Sequence, residues 1–254
     1  MDELLAELHR LGREQAPSSL GRRVLEGAGL ADQRARMSSP IGDFWVLFNS
    51  RGLRSLVRVD RILPAVREVE LPAELAQRLE AALRGRRAEL EFDLRGRGEF
   101  ERLVLAKTVQ IPYGEVRSYA WVAAEIGRPG AVRAVGTALG HNPIPIFIPC
   151  HRVVRSDWSI GQYSGGGPKA KRALLLHEGV KLDWLGGLGR RGVRVLGDPS
   201  GTHYCLPVCA RVAAFGLPPI EFSSADLARA AGYEPCPACR PGGSASGLPG
   251  QPRE

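Results

Sequence analysis

Residues 118–154 read SYAWVAAEIGRPGAVRAVGTALGHNPIPIFIPCHRVV. Ser118 is a capping residue ahead of Val122, Ala123 and Ile126, which share one helical face, and Gly127 is a natural stop. Pro129-Gly130 then turns the chain into a second helical segment. There Val132, Val135 and Leu139 lie on one side, with Arg133, Gly136, Thr137 and Gly140 on the other. Two helices joined so tightly predict a helix-turn-helix. The second helix offers a small outer surface with one long cation, which suits close approach to a nucleic acid. An ordinary helical hairpin packed through its glycines is the alternative.

The second half, HNPIPIFIPCHRVV, predicts an apolar strand held between prolines that delivers Cys150 and His151 to its end. Burial disfavours a thiolate, but an adjacent imidazole able to take the proton reverses that. The base needs an orienting acid, and Glu178 in His177-Glu178-Gly179 is the candidate. The plain alternative is a core cysteine beside a satisfied surface histidine.

Working outward, FWVLF and LRSLVRV flank Asn49-Ser50-Arg51-Gly52, which predicts an antiparallel hairpin in a β-rich stretch over 38–66. LPAELAQRLEAALRG and EFERLVLAKTVQ have helical spacing, as does the amino-terminal MDELLAELHRLGREQ over 2–14. That start is acidic and lacks the pattern of a secretory signal, so a reducing cytoplasm is the expected compartment. No apolar run approaches a bilayer span, and a membrane is not expected among the partners. The chain of 254 residues carries 35 basic against 27 acidic residues, a net charge of +8. Arg128, Arg133, Arg152, Arg155, Lys169, Lys171 and Arg172 face a single acid, Asp157, within their stretch, so the positive field is local and surrounds Cys150. Such a field suits a polyanion.

The other four of the 5 cysteines cluster near the carboxy terminus: Cys205, Cys209, Cys236 and Cys239. A C-x3-C pair followed by C-x2-C fits tetrahedral thiolate ligation of zinc, with disulfides as the alternative. So short a segment has little core, and metal binding would supply much of its folding free energy.

In order and spacing, IPYGEVRSYAWVA, AVRAVGTALGHNPIPIFIPCHRVV, GQYSGG and HEG resemble the active domain of the O6-alkylguanine-DNA alkyltransferases, the methylated-DNA-protein-cysteine methyltransferases. SSPIGDFWVLFNSRGLRSL is similar to their small amino-terminal domain. The resemblance implies an α+β fold: an extension (1–37), a β-rich domain (38–97), a helical helix-turn-helix alkyltransferase domain (98–185), a linker (186–200), a zinc-binding domain (201–242) and a tail (243–254). It implies that Cys150 accepts the alkyl group of O6-alkylguanine, with O4-alkylthymine as a further substrate, once per molecule and without a cofactor. His151 is then a water-bridged base, Glu178 its partner, Asn142 a brace and Tyr119 the residue that assists guanine departure. Arg133 fills the gap left by the extruded nucleotide, Ala134, Gly136, Thr137 and Arg152 meet DNA, and Tyr163 and Ser164 line the base pocket. The expected partner is double-stranded DNA, bound by a monomer through the minor groove with base flipping. One departure is an extra residue in GQYSGGGPKAKR before HEG. The carboxy-terminal segment, with AGYEPCPACRP, resembles the zinc domain of the Ada repair proteins, which implies Cys205 as a phosphotriester methyl acceptor. The local shortage of basic residues favours structural zinc instead, unless Arg190, Arg191 and Arg194 compensate. Two readings from other classes stay open: a non-catalytic sensor or transcriptional regulator binding alkylated DNA, and a Cys-His hydrolase.

Overall fold

The computed structural model describes residues 31–61 and 66–242, with residues 24 and 28. The expected helix over 2–14 and the tail from 243 lie outside the described residues.

Strands β1 (Gln33–Ser39), β2 (Gly42–Asn49) and β3 (Gly52–Arg58) form an antiparallel meander, and the short β4 (Arg67–Glu68) adds in parallel beside β1. The expected hairpin is present: Asn49 faces Gly52, and Asn49 Oδ1 accepts from Arg51 N at 2.8 Å, which sets the turn. Phe44, Val46 and Phe48 alternate inward along β2, as half-buried strands require. The sheet starts at Gln33 rather than at 38. In β1 only Ala35 and Met37 point inward between arginines, too faint a period to announce a strand.

Helix α1 (Ala73–Leu83) follows, with Leu79 buried. Residues 91–93 strap β3: Leu53 N donates to Glu91 O (2.9 Å) and Asp93 N to Leu53 O (2.7 Å). Gly52 permits this. Its φ is +118°, and a Cβ there would lie 2.4 Å from Glu91 O.

The helical half comprises α2 (Glu99–Val109), β5 (Arg117–Ser118), α3 (Tyr119–Glu125), α4 (Val132–Gly140), one 3-10 turn at Cys150–Arg152, β6 (Val153–Val154), α5 (Gly167–His177) and α6 (Leu182–Arg190). Ser118 caps α3 as expected, its Oγ accepting from Trp121 N at 3.0 Å. Val135 and Leu139 of α4 are buried while Arg133, Ala134 and Thr137 are exposed. Strands β5 and β6 pair in parallel, Ser118 with Val154, which brings the start of α3 beside the Cys150 turn.

Two expectations are corrected. Residues 141–149 form an irregular loop, buried from Ile144 onward, not a strand, with one isolated bridge between Pro145 and Ile148. Pro143, Pro145 and Pro149 carry no N–H, so a regular ladder cannot form. Nor is 186–200 a linker. Leu182, Leu185 and Leu188 bury one side of α6, and β7 (Val195–Gly197) is an inner strand of a second sheet. Its partners are β8 (His203–Cys205), β9 (Ile220–Phe222) and β10 (Glu234–Pro235), in the order β10-β8-β7-β9, with α7 (Ala225–Ala230) packed alongside. One of the glycines that suggest a linker serves close packing: a Cβ on Gly189 would collide with Asp157 O.

Gly52→Ala tests the strap. Backbone strain alone should cost about 1–3 kcal/mol, read as a lower urea midpoint, because the new methyl and the Glu91 carbonyl cannot share that space.

Candidate active site

Asn142 shapes the loop that carries the thiol. Its Oδ1 accepts from Ile144 N (3.0 Å), and its Nδ2 donates to Ile148 O (2.8 Å) and to Cys150 Sγ (3.1 Å). One side chain thus ties two backbone groups of the loop to the thiol. From outside, β3 holds the same loop: Leu56 N and Ser55 Oγ both donate to Pro143 O, at 2.8 and 3.2 Å. Within the loop Ile146 has φ +79°, a strained conformation for a β-branched residue, four positions before the thiol.

Cys150 and His151 are both buried. His151 Nε2 lies 2.7 Å from Glu178 Oε1, so that nitrogen carries the proton and Nδ1 is left as a lone-pair acceptor. Nδ1 is buried and has no hydrogen-bond partner among the described residues. Burial holds the imidazole below its ordinary pKa against the opposing pull of Glu178, which keeps it neutral. For Glu178 burial works the other way. The hydrogen bonds from His151 and Arg152 outweigh it and hold the carboxyl at about 2. Burial likewise pushes the Cys150 thiol up, while Asn142, Lys171 and Ser164 favour the thiolate.

Arg152 does not line the cavity over the thiol. It grips Glu178 through Nε (2.9 Å) and Nη2 (2.9 Å) and donates Nη1 to Ile111 O (2.7 Å). Its expected place among the DNA contacts is therefore corrected: the buried carboxylate draws the guanidinium inward. Lys171 is corrected in the same way. It is fully buried, with Nζ donating to Val153 O at 2.5 Å, and burial lowers its pKa to about 8. Within the stretch that carries the positive charge, Arg128, Arg133, Arg155, Lys169 and Arg172 remain on the surface. Sequence reasoning missed Lys171 as a site residue because a lysine ordinarily reads as surface, and its register on α5 was the available signal.

A cavity of about 220 Å³ opens above the thiol, lined by Tyr119, Gly136, Leu139, Gly140, Cys150, Gln162, Tyr163 and Ser164. The structure thus brings together the expected Cys150, Tyr119, Gly136, Tyr163 and Ser164, with Asn142, His151 and Glu178 behind them. Gly161 lets Tyr119 in: a Cβ there would lie 3.0 Å from the phenol oxygen. Burial raises the Tyr119 pKa, and Cys150 raises it further, so the phenol keeps its proton. Arg133, Ala134 and Thr137 stand outside on the exposed face of α4.

Away from this cavity, one ligand atom each from Cys205, Cys209, Cys236 and Cys239 lies within 4.8 Å of the others, and all four are buried. Leu206 N donates to Cys239 Sγ at 3.3 Å. Four thiols so close cannot all ionise without a cation, and a buried all-sulfur donor set with an N–H bond to sulfur fits a thiophilic metal. Arg191 pairs with Glu221, and Arg194 donates to Val193 O, which gives both other partners than the thiolates.

Residues 99–180 match the family model for the DNA-binding domain of 6-O-methylguanine DNA methyltransferase. A methylated-DNA–protein-cysteine methyltransferase of Methanosarcina barkeri is 38% identical over 141 residues, covering 51% of this chain and 87% of the relative. This chain belongs to that family. The rat methyltransferase is 55% identical over 82 residues, 32% of this chain, and the match spans only 39% of the rat protein's length. The crystal structure of Mycobacterium tuberculosis OGT in complex with DNA superposes with a TM-score of 0.52 at 36% identity, covering 60% of this chain and 98% of that one. Family membership thus reaches through both the sheet and the helical half.

Glu178 makes acid stability a test of this arrangement. A carboxyl lowered from 4.5 to about 2 contributes stability that is complete above pH 4.5 and is lost as pH falls toward 2. Glu178→Gln should cost about 3 kcal/mol at neutral pH by leaving Arg152 unpaired. Urea midpoints of the two proteins should converge as pH falls through that window.

Proposed function

We propose that the protein repairs DNA by moving the alkyl group of O6-alkylguanine, and of O4-alkylthymine, irreversibly onto Cys150, one event per molecule. The observation that carries this reading is a thiol at the floor of a base-sized cavity, braced by Asn142 and backed by a neutral His151 bonded to the Glu178 carboxylate. Family membership supports it.

In this reading the Cys150 proton passes to His151 Nδ1 by way of one solvent molecule. Glu178 offsets the imidazolium charge that forms, and Arg152 keeps Glu178 in place. The sulfur attacks the alkyl carbon in line, a carbon–sulfur bond forms and the carbon–O6 bond breaks. Guanine leaves with that bond's electron pair and takes up a proton, for which the Tyr119 phenol is the donor. Stabilising the thiolate falls to Asn142, Ser164 and the Lys171 ammonium. No residue near the resulting thioether has the means to hydrolyse it, so the protein is spent. The chemistry needs no cofactor.

The target carbon is hidden in a duplex, so the base must be turned out at a cost of a few kcal/mol. The small face of α4 suits the minor groove, with Arg133 occupying the space the base leaves and Ala134, Gly136 and Thr137 close to the backbone. The surface cations from Arg128 to Arg172 meet phosphates, and binding weakens as salt rises. A monomer suffices for all of this. We place the protein in a reducing cytoplasm, where a reactive thiol and a thiolate-bound metal both persist.

Zinc is the metal we assign to the four-cysteine centre, where it supplies cross-linking of a segment with little core of its own. A structural role is favoured over methyl acceptance at Cys205. That thiol is only 1% exposed, and the nearby Arg229 and Arg240 are committed to Asp226 and Glu125.

Incubation with duplex DNA carrying labelled O6-methylguanine should end at one label per protein, with one added CH2 on the Cys150 peptide. Cys150→Ser should transfer none. Sustained turnover would instead indicate a hydrolase, and tight lesion binding with no label on protein would indicate a sensor. Arg133→Ala should slow the single-turnover rate on duplex DNA by about 10-fold or more while sparing the free base, because lost extrusion help of about 1.4 kcal/mol is a factor of ten.

A further inference from the structure

Helix α3 is buried on two sides. Val122 and Ala123 face the helical core, as their spacing predicts, yet Trp121 and Glu125 are buried as well. The cover on that second side is the four-cysteine unit. Trp121 Nε1 donates to both Cys239 O and Arg240 O, each at 3.1 Å, so the indole bonds directly to the backbone of a cysteine of the centre. Arg240 Nη2 lies 2.7 Å from Glu125 Oε2, and Lys107 reaches the same oxygen at 3.3 Å. The guanidinium groups of Arg117 and Arg240 lie 5.3 and 5.8 Å from the Trp121 ring. The other cysteine loop is held too, since Ala210 N, next to Cys209, donates to Glu115 Oε1 at 3.4 Å.

We propose that Trp121 and Arg240 are positioning residues: they form a joint through which metal occupancy of the four-cysteine centre sets the placement of α3, and with it the helix-turn-helix and Tyr119. The inference rests on the reading of that centre as a metal site and deepens it. A helix of seven residues has no stability of its own and takes its place from what it packs against. With metal bound, the loops carrying Cys209 and Cys239 are cross-linked and hold α3 from outside. On metal loss the Cys236–Arg240 loop is released, and the buried indole N–H loses both acceptors. An unpaired buried donor is strongly disfavoured, so α3 shifts to satisfy it. Tyr119 stands two residues before Trp121 on the same short helix and forms part of the cavity wall. DNA binding and metal binding then become linked, and the linkage is reciprocal.

The test uses the full chain, zinc-loaded and chelator-stripped, with two readouts: affinity for an undamaged duplex by fluorescence anisotropy, and zinc affinity by competition with a chromogenic chelator. In the unsubstituted protein, stripping should weaken DNA binding at least about fivefold, and saturating DNA should tighten zinc by the same factor. Trp121→Phe keeps an aromatic ring but loses both hydrogen bonds, and Arg240→Met leaves Glu125 with Lys107. Either variant should bring the coupling below about twofold while the loaded protein still melts cooperatively. Equal DNA affinity of the loaded and stripped forms, or full coupling in Trp121→Phe, overturns the proposal. Failure to take up one zinc per chain overturns the metal reading as well, and uptake without coupling overturns the joint alone.

Discussion

A carboxylate taken out of water costs several kcal/mol unless its charge is met, and Glu178 is met from two sides. His151 approaches one oxygen, the Arg152 guanidinium forks onto both, and Gly114 N donates to Oε2 at 3.2 Å. That single group joins the end of α5, the turn after Cys150 and the loop before β5. It also fixes which ring nitrogen of His151 is protonated, and hence which one remains a base. The second constraint is Asn142, whose amide bonds Ile144 N and Ile148 O within the proline-rich loop while touching Cys150 Sγ. Site geometry and loop stability are therefore the same set of bonds.

Features with local physical causes were legible in the sequence. The Asn49–Gly52 turn, the Ser118 cap, the sides of α4 and the cysteine spacing each follow from a few adjacent residues, and each is present. Long-range causes hid the rest. β1 has only two inward residues and was invisible until paired with β2. The loop over 141–149 looked like a strand because its residues are apolar, although its prolines forbid one. Arg152 and Lys171 looked like surface charge. Only the folded chain brings a buried carboxylate to the first and the Val153 and Gln162 carbonyls to the second. The glycines of α6 suggest a linker because the reason for one of them, the contact of Gly189 with Asp157, lies far away in sequence. Cys150, His151 and Glu178 were legible through the resemblance as much as through chemistry, since a Cys-His pair alone has a plain alternative.

The carboxy-terminal unit changes how the helical half is understood. Trp121 and Glu125 have no explanation in a free-standing helix-turn-helix, where a tryptophan and an acid on an outer face would meet water. With the cysteine loops in place they become an interface, and the arginine beside the last cysteine, with φ +46°, lies over it. The two units share a buried surface instead of being joined by a flexible tether.

The central claim is that burial holds His151 neutral while Glu178 fixes its proton on Nε2, leaving Nδ1 free to act as base. Ring-nitrogen NMR of isotope-labelled histidine in the reduced protein reads this directly. At neutral pH the account predicts one protonated nitrogen for His151, Nε2, whose signal shifts in Glu178→Gln. A proton on Nδ1, or an imidazolium with both nitrogens protonated, would contradict it.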